Sequence, residues 1–178
     1  MLGLIGGARL PEAEAGMRRA LDIRPTYAWG HFMLGMIMLE RGDPRVALLE
    51  MQKEQQEVAQ LSGLALVYYV LGSTADADAA LARLIKEQAN DNAFQIANVY
   101  AFRGQSDEAM LWLERAYAQK DFSLYLIKAW LPSSLVADPR YKAFLLGEFT
   151  ICRPRSGHSR QAAEGSLCAT ETFFLVPY

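Results

Sequence analysis

Ile96-Ala97-Asn98-Val99-Tyr100-Ala101-Phe102-Arg103-Gly104 is an apolar helical run closed by a glycine, and it is not alone in the chain. Leu64-Ala65-Leu66-Val67-Tyr68-Tyr69-Val70-Leu71-Gly72 ends in the same way, and so does Leu34-Gly35-Met36-Ile37-Met38-Leu39-Glu40-Arg41-Gly42. The three glycines stand 30 and 32 residues apart. A glycine just past a helix takes the left-handed conformation without a Cβ clash, so each marks a place where a helix stops and the chain turns.

A helix-start signal follows each glycine. Asp43-Pro44 offers a capping carboxylate before a proline suited to the first turn. Ser73-Thr74-Ala75-Asp76 and Ser106-Asp107-Glu108 offer caps and first-turn acids. Second helices are expected over about 44–57, 76–88 and 107–119. Ala77, Ala80, Leu81 and Leu84 share one stripe, as do Ala109, Leu113, Ala116 and Tyr117, because spacings of three and four place residues on one helix face. The repeating unit is helix, glycine turn, helix.

Composition agrees. Ala (26) and Leu (24) outnumber Val and Ile, at seven each, which favours helix over sheet. A 52% hydrophobic and 21% charged chain of 178 residues has the apolar material for a packed core. A formal net charge of −2 argues against a general nucleic-acid binder, which needs a clustered basic excess. The longest apolar stretch, Leu64 to Leu71, falls far short of the roughly 20 residues that span a bilayer. The apolar N-terminus has no basic segment before it and reads poorly as a signal peptide, so a cytoplasmic protein without membrane contact is expected. Cys152 and Cys168 are then expected as reduced thiols.

The repeating unit resembles the tetratricopeptide repeat (TPR), whose period is about 34 residues. Glu12 to Pro25 is similar to the second helix of such a repeat with its closing proline. Leu34-Gly35, Leu64-Ala65 and Ile96-Ala97 supply the family's large–small pair, with Ala47 and Met51, Ala77 and Leu81, and Ala109 and Leu113 at its second-helix packing positions. The resemblance implies an all-α, right-handed α-helical-hairpin solenoid. On that reading residues 1–147 form the array: a partial first repeat at 1–25, repeats at about 28–57, 58–89 and 90–120, and a terminal cap at 121–147. Within the cap, Phe122 to Leu131 reads as one helix and Asp138-Pro139 as the start of another. Leu135 to Leu145 resembles the ending of TPR arrays at the C-termini of larger bacterial proteins. Met1 to Arg9 reads as the last turns of a first helix, and residues 148–178, with no helical period, as an irregular, disordered tail.

No nucleophile elbow, P-loop, Rossmann glycine run or HExxH occurs, and two Cys with two His are not spaced as a four-ligand zinc set. The acids at helix starts serve the helix dipole better than acid–base chemistry, and His31, beside Trp29 and Phe32, reads as packing rather than a metal ligand. The expectation is a protein that is not an enzyme and takes no cofactor. What the resemblance implies instead is a concave groove lined by the first helices. Projected here, the groove positions are Phe32, Met33 and Met36 in one repeat, with Trp29 and Glu40 beside them. Leu66 and Tyr69 follow in the next, with Ser62 and Gly63, and Phe94, Gln95, Asn98 and Phe102 in the third, with Asp91. The chaperone-binding members of the family carry a basic, Asn-lined clamp for a carboxylate; only Asn98 matches it here. A Met- and aromatic-lined groove suits an apolar peptide or amphipathic helix, since Met adapts its shape and aromatic rings bury large areas. The leading expectation is a protein–protein interaction module. The alternatives are a C-terminal regulatory segment of a bacterial transcriptional regulator, cyclase or kinase, and a self-association module whose N-terminal edge forms a homodimer.

Overall fold

The computed structural model describes residues 9–127 and 131–146. The expected first-helix remnant before Arg9, the tail from 148 and the two cysteines lie outside these residues, as do positions 128–130 of the helix expected over Phe122 to Leu131. Every regular element among the described residues is helical, with no strand. They are α1 (Leu10–Ile23), α2 (Gly30–Glu40), α3 (Pro44–Lys53), α4 (Glu57–Val70), α5 (Thr74–Gln88), α6 (Ala93–Phe102) and α7 (Ser106–Gln119). A 3₁₀ helix (Phe122–Leu126) and two short helices, α8 (Ser133–Val136) and α9 (Pro139–Leu146), follow.

Successive helices pack in pairs: α2 on α3, α4 on α5 and α6 on α7 most closely, with α1 laid against α2. The turn inside each pair has one design. Gly42, Gly72 and Gly104 have φ of +83°, +77° and +75°. Each donates its N–H three residues back, to Leu39, Tyr69 and Ala101. The next residue donates five residues back: Asp43 to Met38, Ser73 to Tyr68 and Gln105 to Tyr100, at 2.9–3.0 Å. This double closure is the Schellman motif, and its left-handed residue is where glycine avoids a Cβ clash. The expected side-chain caps are not made: Asp43 and Ser73 stand at the cap positions of α3 and α5 without capping bonds, and the cap of α7 is Gln105 rather than Ser106. The glycine closure leaves Asp43, Ser73 and Gln105 with ψ of 61°, 71° and 74°, short of the extended geometry from which a side-chain oxygen reaches the first-turn amides.

The pairs also stack on one another, with α2 touching α4, α4 touching α6, α3 meeting α4 and α5 meeting α6. Small residues sit where helices approach. Ala47, Ala65, Ala77, Ala97 and Ala109 are all fully buried. A Cβ on Gly35 would lie 2.7 Å from Met51 Cε and one on Gly63 closer still to Met51 Sδ, so the Met51 side chain occupies the space that these two glycines leave open. Gly63 is therefore a packing position and not a groove position.

Two cores result. The larger joins α1 to α5 with Ile96 and Val99 of α6. The second joins Phe94, Ala97 and Ala101 of α6 to Ala109, Met110 and Leu113 of α7 and to Leu135, Tyr141 and Phe144 of the C-terminal helices. Tyr141 donates its hydroxyl to the Ile127 carbonyl at 3.2 Å, fastening α9 beneath the 3₁₀ helix.

Ion pairs link neighbouring pairs of helices from matching places. Arg41 and Arg103 each precede a turn glycine and reach back to the helix before, Arg41 to Glu14 of α1 and Arg103 to Asp78 of α5. The Arg103 side chain is 5% exposed, lies over the Tyr69 ring at 5.5 Å and donates to the Ala77 carbonyl at 2.7 Å. Arg140 of α9 pairs with Asp107 of α7 at 2.7 Å.

Candidate functional site

The first helices of the three pairs carry residues at matching heights before their turn glycines. Ten positions before lie Phe32, Ser62 and Phe94; six before lie Met36, Leu66 and Asn98. Because α2, α4 and α6 lie side by side, these positions come together in space. All of them but Met36 line a cavity of about 380 Å³. From α2 and the residue before it come Trp29, Phe32 and Met33; from α4, Ser62 and Leu66; from α6, Phe94, Gln95, Asn98 and Val99. The 3₁₀ helix closes one side with Phe122, Ser123, Tyr125 and Leu126.

Six of the nine expected groove residues thus meet at one cavity: Phe32, Met33, Leu66, Phe94, Gln95 and Asn98. Met36, Tyr69 and Phe102 do not line it. Met36 is buried in the larger core at 3% exposure, within an unbroken buried run from Leu34 to Leu39. Helix α2 is covered on several sides, so a position facing away from α3 still meets protein. Tyr69 is exposed, and its hydroxyl donates to the Arg103 carbonyl at 3.3 Å. Phe102 is half-buried against the larger core. Of the flanking positions, Trp29 and Ser62 reach the cavity, while Glu40 and Asp91 do not line it. Val99 and the four residues of the 3₁₀ helix are additions that the repeat pattern does not reach. An aromatic spacing of three, Phe122 to Tyr125, is the local signal for them. In a 3₁₀ helix that spacing brings side chains into register, and here the ring centroids stand 4.9 Å apart.

Two buried carboxylates, each joining a distant amide to amides beside itself in sequence, set the cavity wall. Asp121 accepts the backbone N–H of Phe94 through Oδ2 and that of Ser123 through Oδ1, both at 2.9 Å. One side chain therefore fixes the first turn of α6 and the entry of the 3₁₀ helix. Glu54 does the same at the other end of the stack: its Oε2 accepts the Phe32 N–H at 3.1 Å, and its Oε1 accepts those of Gln55 and Gln56 at 3.0 Å. The demand for Glu54 in this role ends α3 at Lys53, one turn short of the expected 57. Phe32 and Phe94, which both line the cavity, are thus both set by an acid at the end of the partner helix.

Trp29 is held in the left-handed region, with φ of 65°, which costs a bulky residue of order 1–3 kcal/mol and persists only where the surroundings impose it. Its ring stands edge-on to Phe32 at 5.2 Å between centroids. His31, two residues on, pairs with the buried Glu50, with Nδ1 2.8 Å from Oε2, and Lys53 donates to the other oxygen at 2.9 Å. Burial opposes ionisation of Glu50, but the hydrogen bonds from Lys53 and His31 outweigh it and hold the carboxyl below its ordinary value.

Inside the cavity the polar inventory is short. Among the described residues no charged side chain lines it. Ser62 Oγ donates to the Val58 carbonyl at 2.6 Å. Gln95 Nε2 donates to Ser123 Oγ at 2.9 Å, tying α6 to the 3₁₀ helix. Gln95 Oε1 is buried and accepts no hydrogen bond from the described residues. Among the described residues no group of three or more His, Cys, Asp or Glu is placed to hold a metal ion, and no helix is long and apolar enough to cross a membrane. No protein-family model matches the chain, and neither a curated protein nor a solved structure matches it.

Proposed function

We propose that this chain is a protein–protein interaction module: a TPR-like, right-handed helical-hairpin solenoid without chemistry of its own. It receives an apolar side chain of a partner peptide in the cavity between its first helices. The observation that carries this reading is the convergence of equivalent repeat positions, Phe32 with Phe94 and Leu66 with Asn98, on one ring-lined cavity of about 380 Å³ to which the described residues bring no charge. Ligand cavities run from about 300 to 1,000 Å³, so this one suits a single large anchor better than the whole face of an amphipathic helix. The rings of Trp29 and Tyr125 and the thioether of Met33 supply rigid and adaptable contacts together.

Selection of displayed peptides on the intact protein tests this. Peptides with a large apolar or aromatic residue should be enriched, and Ser62→Leu, which fills the cavity, should weaken their binding by roughly 2 kcal/mol, the size of an anchor loss. The melting temperature checks that the variant is folded. Selected peptides that bind the folded, filled variant as tightly as the wild type would exclude the cavity as the site.

A further inference from the structure

We infer that residue 62 sets the size of the group this site accepts: the cavity is the space left by a serine where the neighbouring helix pairs carry phenylalanine. The inference rests on the reading of the cavity as an anchor site and adds the residue that decides what fits. Counted back from the turn glycines, Phe32 of α2, Ser62 of α4 and Phe94 of α6 are one position, ten residues before Gly42, Gly72 and Gly104. All three are buried, at 2%, 3% and 2% exposure, and all three line the cavity. Helix α4 touches both α2 and α6, so the serine stands in the middle of the row. Phenylalanine carries a ring where serine carries one hydroxyl. The row lacks its middle ring, and the cavity lies at the gap.

Local demands do not call for serine here. Ser62 is the sixth residue of α4, well past its cap, and inside a helix serine serves less well than alanine or leucine. Its Oγ donates to the Val58 carbonyl four residues back at 2.6 Å, so the hydroxyl is spent on its own helix. The contact with Met51 of α3 falls on the next residue, Gly63. The amides of Phe32 and Phe94 stand at the starts of their helices and are held by Glu54 and Asp121. Ser62 lies inside α4, so its side chain can change without disturbing a cap. In an apolar pocket one methylene more or less is worth about 10- to 200-fold in discrimination, so a change of this size at one position alters which side chain is accepted.

Panning one random peptide library on the intact wild type and on Ser62→Thr, Ser62→Val and Ser62→Leu tests this. Peptides selected on the wild type should bind Ser62→Thr and Ser62→Val about 10-fold or more weakly, the effect of a methylene-sized group in the pocket. The two variants are alike in size and differ in polarity, so they should shift the preference alike. Peptides selected on Ser62→Leu should carry smaller anchors than those selected on the wild type. Melting temperatures should stay within about 3 °C of the wild type, because the added groups enter open space rather than a filled core. Weaker binding with no change in the size of the selected anchor would overturn the assignment of residue 62 and leave the anchor-site reading standing. Unchanged binding in every folded variant, or no selected peptide at all, would overturn both. A larger fall in melting temperature in all three variants would place Ser62 against a filled core and overturn the assignment as well.

Discussion

Met51 shows how much can depend on one flexible side chain. It is fully buried, and its thioether lies where Cβ atoms on Gly35 of α2 and Gly63 of α4 would be. Alanine in place of a helical glycine ordinarily stabilises by about 1 kcal/mol. At Gly63 the added methyl must displace Met51 Sδ inside a filled core, and overpacking costs about 1–3 kcal/mol. Gly63→Ala is therefore expected to lower stability in urea unfolding by about 1 kcal/mol, against the helix propensity. Met51→Ala alone opens a cavity worth about 2–5 kcal/mol. The double variant should be more stable than the sum of the two losses predicts, because each change relieves the other. Strict additivity would mean that Met51 is not what excludes a side chain at Gly63.

At the scale of helices, the carboxylates of Glu54 and Asp121 matter more than the residues that flank the turns. Each satisfies amides on two elements, and Glu54 is only 4% exposed. Glu54→Ala strands the Phe32 N–H and should cost about 1–3 kcal/mol, the penalty for an unmet buried donor. Asp43→Ala, at a cap position whose side chain makes no capping bond, should change stability by less than about 0.5 kcal/mol. A larger loss at Asp43 than at Glu54, by thermal or urea unfolding, would reverse this ranking. The contrast also marks what the sequence made legible. The turn glycines were readable because the left-handed residue after a helix is a local demand. The stripes Ala77–Leu81–Leu84 and Ala109–Leu113–Ala116 were readable because α5 and α7 keep one face in water. Helix α2 is buried from Leu34 through Leu39, so no period tells which of its residues faces a cavity, and the groove position that the repeat pattern gives Met36 is in fact a core position. The cap by Asp121 spans 27 residues to Phe94, and no local pattern announces it. The sequence does not separate the 3₁₀ helix from ordinary helix, because Phe122 to Leu126 is apolar at spacings that serve either form.

Across the whole molecule, α6 is the seam. Ile96 and Val99 enter the larger core, while Phe94, Ala97 and Ala101 enter the second, and the cavity opens along the line between them. The second core depends on the C-terminal elements, for Leu135, Tyr141 and Phe144 cover what α6 and α7 would otherwise leave bare. In a stack whose units touch mainly their neighbours, a loss at one end opens that end first. Leu135→Ala removes a fully buried side chain from the second core only. It should reduce hydrogen-exchange protection in the 3₁₀ helix, α7 and α9 by tenfold or more, a factor that corresponds to about 1.4 kcal/mol. Amides of α2, α3 and α5, which share no packed cluster with Leu135, should keep theirs within about twofold of the wild type, the limit of additivity for distant sites. An equal loss of protection along the chain would mean that the two cores unfold as one. The graded result would place the cavity at the boundary of two separately opening units, and an anchor bound there would raise protection on both sides of α6 at once, since it touches α2 and α4 on one side and the 3₁₀ helix on the other.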